Sequence, residues 1–257
     1  VATPDAEGNA IFILHARTGE LLFKVNLDDH PGLIHSIPSS ITAWDENRNG
    51  ITDRLYVGDS GGNVWRVDLP ELTFTDINGG QTDKRSDWFV TKFAELGDTH
   101  RFFHKPDVSA VRDSLLGIKY DAVAIGSGDR AHPLETGTLN SFFLMKDNWI
   151  GQPRTAAQAT SLKNRAPMTL TDLDNITDIC LNNDCPGSAS LANGWSLTME
   201  GFGSGDGEKV LSAPLIIAGE IFFTSYLPSS GDTDCKPNEG ESRLYIVSLA
   251  EGAPTRH

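Results

Sequence analysis

Short apolar runs, broken by polar turns that carry glycine, recur from one end of this chain to the other. The clearest case is residues 9–27. Ile11, Phe12, Ile13 and Leu14 are followed by the turn ARTGE and then by Leu21, Leu22, Phe23 and Val25. Two runs of strand length around such a turn predict a β-hairpin. Residues 53–69 repeat the plan: Leu55, Tyr56 and Val57 lead into GDSGGN, and Val64, Trp65 and Val67 lead out. YDAVAIGSGDR (120–130) predicts an inner strand, continued by NSFFLMKD (140–147). Residues 213–227 predict a tight hairpin around Ala218 and Gly219, and SRLYIVSLAEG (242–252) closes the series.

A strand, a glycine-rich turn and a second strand, repeated, form the unit from which propeller blades are built. Blades run about 40–45 residues, so the chain holds roughly five blades' worth, less what its long loops consume. The expectation is an all-β fold, a β-propeller with quinoprotein-like blades and long loop insertions, with residues 1–257 as a single domain. A β-sandwich is the alternative, and it would show more even strand spacing. Residues 70–106 mix charged, aromatic and proline positions around a strand-like run, DWFVTKFAEL. Residues 150–195 read as a polar insertion. The chain enters a strand pattern almost at once and stops just after one, so it is expected to be a piece of a longer protein.

Composition narrows the function classes. The chain has 257 residues, enough to bury roughly 70–75% of its unfolded surface without staples. Its formal net charge of −14 offers no basic footprint for nucleic acid, and an anionic membrane surface would repel it. No segment approaches the 18 or so consecutive apolar residues of a membrane span. Acidity suits solubility and cation binding. Cys180 and Cys185, in CLNNDC, are spaced to close a small disulfide in an exported protein, with Cys235 left over to exchange, to stay reduced or to pair elsewhere. No histidine pair stands nearby to complete a zinc site.

The sharpest chemical signal is DENRNGITD, residues 45–53. Counted from Asp45, oxygen-bearing side chains fall at positions 1, 3, 5 and 9 (Asp45, Asn47, Asn49 and Asp53), with Gly50 at position 6 and the Ile51 carbonyl at position 7. This matches the first half of an EF-hand calcium loop, in which alternate oxygens converge as the chain curls around a sharp turn at glycine. The bidentate Glu of position 12 is missing, so Asp53 takes its place, and a strand follows instead of a helix. Oxygen-only ligands in a flexible loop favour Ca2+ over Mg2+. With two carboxylates, affinity is expected near the extracellular range of roughly 10⁻⁴–10⁻³ M. The same residues also build metal-free Asx turns.

Three segments in order, IPSSITAWDENRNGITDRLYVGDSGGNVWRVDL, VAIGSGDRAHPLETGTLNSFFLMKD and GWSLTMEGFGSGDGEKVLSAPLIIAGEIFFTSYLP with SRLYIVSL, resemble the C-terminal domain of the PilY1/PilC family of type IV pilus-tip proteins. The resemblance spans roughly residues 9–250. It implies a modified β-propeller and a calcium loop whose ligands fall on Asp45, Asn47, Asn49, the Ile51 carbonyl and Asp53. The chain departs from the family at Asn47, where Asp is usual. It further implies a non-enzymatic module that is exported through the periplasm to the cell surface. There it would act at the pilus tip with minor pilins and a host receptor or surface. Calcium would switch pilus extension against retraction, with effects on twitching motility and adhesion.

Two other classes fit parts of the pattern. A quinoprotein dehydrogenase also uses a calcium-bearing propeller, but it needs a central cofactor pocket, usually capped by adjacent cysteines, and Cys180 and Cys185 are not adjacent. A lectin-like adhesin would use the propeller face. Ser127, Asp129 and His132 lie close together without a nucleophile elbow, and read as a structured loop. GFGSGDGEK (201–209) lacks the strand–helix context of a phosphate loop. Asp172, Asp174 and Asp178 are poorly spaced for a second cation site. Trp65, Trp195 and Phe222 are expected to pack between blades.

Overall fold

The structure is a computed structural model that describes residues 8–70, 87–113, 117–151, 156–177, 191–199, 207–229 and 240–255. Among the described residues, four β-sheets follow one another along the chain. The first is the hairpin of β1 (Ile11–Leu14) and β2 (Leu21–Val25). The second runs through β3 (Thr42–Trp44), β4 (Arg54–Gly58), β5 (Asn63–Asp68) and β6 (Phe89–Glu95), each antiparallel to the last. The third begins with β7 (Asp107–Asp113), β8 (Ile118–Gly126) and β9 (Ser141–Asp147), again antiparallel.

Residues 150–195, expected as a polar insertion, supply a short helix, α1 (Ala156–Lys163), and two edge strands. β10 (Met168–Thr169) lies parallel to β6, and β11 (Asp174–Asn175) lies parallel to β12 (Gly194–Thr198), which completes the third sheet against β9. In the fourth sheet, β13 (Lys209–Val210) and β14 (Leu215–Ile217) pair with β15 (Glu220–Leu227), and β16 (Glu241–Ser248) pairs with its other side.

Three apolar layers lie between successive sheets, and strand alternation decides which side chain enters which layer. On β4 and β5, Leu55, Val57, Trp65 and Val67 face the first hairpin with Ile11 and Val25. Tyr56 and Val64 face the other way, toward Val123, Ile125, Phe143 and Met145 of β8 and β9. The alternate residues Ala122, Ala124, Phe142 and Leu144 face the fourth sheet. The second and third sheets are therefore covered on both faces, which is why DAVAIG and SFFLM read as continuous apolar runs. The all-β class is as expected. Sheets that succeed one another in chain order, each packed on the next, also have the order that propeller blades would have.

Aromatic contacts join the last two sheets. Phe142 stacks on Phe223 at 3.9 Å, and Phe223 stacks on Tyr245 at 4.8 Å. Each such pair adds about 0.5–1.5 kcal/mol beyond area burial. Trp65 and Trp195 are buried between sheets as expected. Phe222 is half-buried on the opposite face, and its neighbour Phe223 takes the core position. The turn at Ala218 and Gly219 sets this register by pairing Ile217 with Glu220. Cys180, Cys185 and Cys235 lie outside the described residues.

Candidate metal centre

Residues 45–53 connect β3 to β4. The ladder ends at the pair Trp44 and Arg54, and the Asp53 N–H donates to the Trp44 carbonyl at 2.9 Å. The nine-residue connection is thus closed at its base, with Asp53 buried there and Ile51 exposed at the rim.

Within that frame the side-chain oxygens turn inward onto the loop's own amides. Asp45 accepts from Asn49 N at 3.2 Å through Oδ1 and from Gly50 N at 2.7 Å through Oδ2. Asn47 Oδ1 accepts from Asn49 N at 2.9 Å, and Asn49 Oδ1 accepts from Ile51 N at 2.8 Å. Asp53 Oδ2 reaches back to Glu46 N at 2.7 Å and Asn47 N at 3.4 Å. Asp45 and Asn47 thus share the Asn49 amide, Asn49 turns onto the Ile51 amide, and Asp53 holds the amides of Glu46 and Asn47. Ile51 joins through its N–H.

Two residues make this curl possible. Gly50 has φ +87°, and a Cβ there would touch nothing within 4 Å, so the dihedral alone calls for glycine. Arg48, with φ +60°, holds the same left-handed region without being glycine, at a cost of about 1 kcal/mol. Such a residue persists where the surrounding bonds over-determine it. The donor set is all oxygen, two carboxylates and two amides. Each carboxylate has about four acceptor sites, so accepting one or two N–H bonds leaves capacity for a hard cation. By donor chemistry, an all-oxygen set is the kind a hard cation takes. Among the described residues, no three His, Cys, Asp or Glu side chains converge on a metal-sized site, and this loop's donor set brings only two carboxylates, Asp45 and Asp53, with amides beside them.

Beside the loop lies a feature with no sequence motif: a buried ion network joining the second and third sheets. Arg54 is fully buried and binds Glu46 at 2.5 Å, Asp121 at 2.6 Å and Asp68 at 3.5 Å. Arg66 binds Asp68 at 2.6 Å and Asp147 at 2.5 Å. Arg112 reaches Asp121 at 3.0 Å, and Arg165 reaches Asp147 at 3.4 Å. The Tyr56 hydroxyl donates to Asp147 at 2.9 Å, and Trp44 Nε1 donates to Asp121 at 3.0 Å. Burial pushes Asp68 and Asp121 above the usual carboxylate value, against the pull of the arginines. Burial, then the Asp147 charge, drives the Tyr56 hydroxyl far above its ordinary value and keeps it a donor. Period-two alternation marks these strand positions as facing a layer, but the arginines of DRLYV and WRVD give no hint that the layer is ionic.

The weaker constellations come apart. His132 Nδ1 pairs with Asp129 at 3.0 Å, while Ser127 is fully buried against His100 Nδ1 at 3.2 Å. Ser127 is thus held inside the fold with no access for a substrate. Asp172 folds back on Thr169, accepting from its N–H and its hydroxyl at 2.7 Å each, and Asp178 lies outside the described residues. Glu208 and Lys209, from the glycine-rich stretch, are both buried. Glu208 accepts from Arg243 and Tyr245 at 2.9 Å, and Lys209 Nζ donates to the Gly207 carbonyl at 2.8 Å.

No family model matches the chain. Over 261 aligned residues it is 23% identical to the type IV pilus biogenesis factor PilY1 homolog of Xylella fastidiosa, covering 94% of this chain and 17% of that protein. Over 72 residues it is 32% identical to the type IV pilus biogenesis factor PilY1 of Pseudomonas aeruginosa, covering 28% of this chain and 6% of that protein. The chain thus spans about a sixth of the longer match. Among solved structures, the PilY1 C-terminal domain of Pseudomonas aeruginosa superposes with a TM-score of 0.66 at 17% identity, covering 97% of this chain and 54% of that one. That likeness shows a shared fold. No described helix is long and apolar enough to cross a membrane.

Proposed function

We propose, from the premise that this chain is a domain of the PilY1 C-terminal kind in sequence and in fold, that it is a calcium-binding module of a type IV pilus biogenesis factor. The observation that carries the reading is similarity to a pilus biogenesis factor along 94% of the chain, together with a fold matched over 97% of it. The relatives are named for pilus biogenesis and not for a reaction, which supports a non-enzymatic role.

In this reading Asp45, Asn47, Asn49, Asp53 and the Ile51 carbonyl hold the ion. Calcium supplies positive charge that fixes the loop. The chain's own residues then decide what that fixation does, because the loop is an exposed connection between two strands, and Trp44, which ends the first, and Arg54, which begins the second, both bind Asp121. A module of this kind would sit at the pilus tip, outside the cell, among minor pilins and the surface they meet. Its calcium state would bias pilus extension against retraction, and with it twitching motility and adhesion.

The test has two arms. Calorimetric titration of the chain with CaCl2 should give one site, lost in Asp45→Ala. Pili should then be counted in bacteria whose full-length protein carries Asp45→Ala, and their number or twitching should change. A chain that takes up no calcium removes the metal site. Unchanged pili and motility with a non-binding variant remove the regulatory role and leave the site.

A further inference from the structure

We infer that Glu46 couples the cation loop to the docking of the second and third sheets, so that calcium occupancy and the closure of that seam report on each other. The inference rests on the calcium reading above and adds the device through which the site acts. Glu46 stands between Asp45 and Asn47, and is not itself one of the spaced ligands. Its backbone belongs to the loop: its N–H donates to Asp53 Oδ2 at 2.7 Å. Its side chain leaves the loop and enters the seam. The carboxylate accepts from Gly151 N at 2.9 Å and 2.7 Å through its two oxygens, and it meets Arg54 of β4 at 2.5 Å and Arg112 of β7 at 3.5 Å.

Gly151 follows β9 by four residues, and its own carbonyl accepts from Arg54 at 3.1 Å. One residue therefore has its main chain in the cage and its carboxylate on both partners of an inter-sheet contact. With the oxygens of Asp45 and Asp53 fixed on an ion, the Glu46 backbone between them loses freedom. Its carboxylate is then held where the Gly151 amide and the two guanidinium groups converge. In the other direction, docked sheets hold Glu46 in place and pre-organise the loop. Linkage makes the two effects equal in free energy, and couplings of this kind change affinity by about five-fold or more.

Hydrogen exchange at the Gly151 amide, with and without CaCl2, tests this on the unaltered chain, and calorimetry on Glu46→Gln tests it from the other side. Coupling requires that calcium slow Gly151 exchange several-fold in the unaltered chain. It also requires that Glu46→Gln weaken calcium binding about five-fold or more and abolish the calcium effect at Gly151. If the unaltered chain binds no calcium, the metal reading fails and this inference falls with it. If calcium binds both chains equally and leaves Gly151 exchange unchanged, the coupling alone is overturned and the calcium site stands.

Discussion

Replacing Asp147 with Asn tests whether the buried ion network holds the second and third sheets together. The Asp147 carboxylate has no exposed surface and receives four donors: Tyr56 hydroxyl at 2.9 Å, Arg66 Nη1 at 2.5 Å, Trp149 N at 3.0 Å and Arg165 Nη1 at 3.4 Å. Asparagine keeps the shape and one acceptor oxygen. It removes the charge and turns an NH2 group toward donors, of which only the Tyr56 hydroxyl can also accept. Breaking one partner of a buried pair costs about 3–5 kcal/mol. Arg66 still holds Asp68 through two bonds, at 2.9 Å and 2.6 Å, so the lower end applies, about 3 kcal/mol. In urea, with a slope near ~3 kcal/mol/M, the midpoint should fall by about 1 M.

The companion measurement is a double-mutant cycle with Arg66→Met, followed by far-UV circular dichroism in urea. Each single variant should lose about 3 kcal/mol, and the double should lose less than their sum by about 1 kcal/mol or more, because each single leaves the other's charge stranded. A midpoint for Asp147→Asn within about 0.2 M of the unaltered chain, or a strictly additive cycle, would show that water reaches the seam and that the network carries little of the docking.

Other perturbations probe separate parts of the structure. Gly62, in the turn between β4 and β5, has φ +75°, and a Cβ there would lie 2.0 Å from the Gly97 carbonyl oxygen; Gly62→Ala should cost at least about 2 kcal/mol by urea titration. His100 is buried and its pKa is pushed down from 6.5 to about 4. The unfolded chain takes up a proton that the folded chain refuses, so stability should fall as pH drops from 6.5 toward 4, by at most about 3 kcal/mol from this residue. His100→Gln should flatten that part of the melting-temperature profile, and an unchanged slope would assign the acid lability elsewhere. Asp53→Ala removes a buried carboxylate, leaves the half-buried Glu46 N–H without its acceptor and should lose about 1–3 kcal/mol even in chelator, whereas Asp45→Ala, whose carboxylate is half-buried, should lose less; equal losses in thermal melts would contradict the burial difference.

The parts of this fold legible in the sequence are those set by local geometry. Hairpins showed as paired apolar runs around turns, because Gly-bearing turns and strand alternation act over a few residues. The curl of residues 45–53 showed because oxygen-bearing side chains two residues apart, with glycine at the sixth place, bend a chain onto its own amides. The ion network did not show, because Arg54 and Asp121 are 67 positions apart and only tertiary packing brings them to 2.6 Å. Phe222 and Phe223 could not be told apart by period two, since both are apolar and the register comes from the turn before them. Ser127 looked adjacent to His132 in sequence, but it sits at the end of a buried strand and meets His100 instead.

Charge ties these parts into one expectation. The network is neutral: Arg54, Arg66, Arg112 and Arg165 face Glu46, Asp68, Asp121 and Asp147. Taking four of each sign from the 21 basic and 35 acidic residues leaves the excess of 14 negative charges untouched, so it lies outside the seam. A buried unpaired charge would be costly, and burying a balanced set avoids that cost. The acidic remainder then acts at long range, raising the local concentration of cations around an exposed loop whose proposed ligands include only two carboxylates. Such attraction is screened over about 8 Å at physiological ionic strength. Calcium affinity should therefore fall several-fold between about 10 mM and 150 mM KCl, read by calorimetry on the unaltered chain. An affinity independent of salt would mean that the two carboxylates and their neighbouring amides set it alone, and that the chain's acidity serves solubility only.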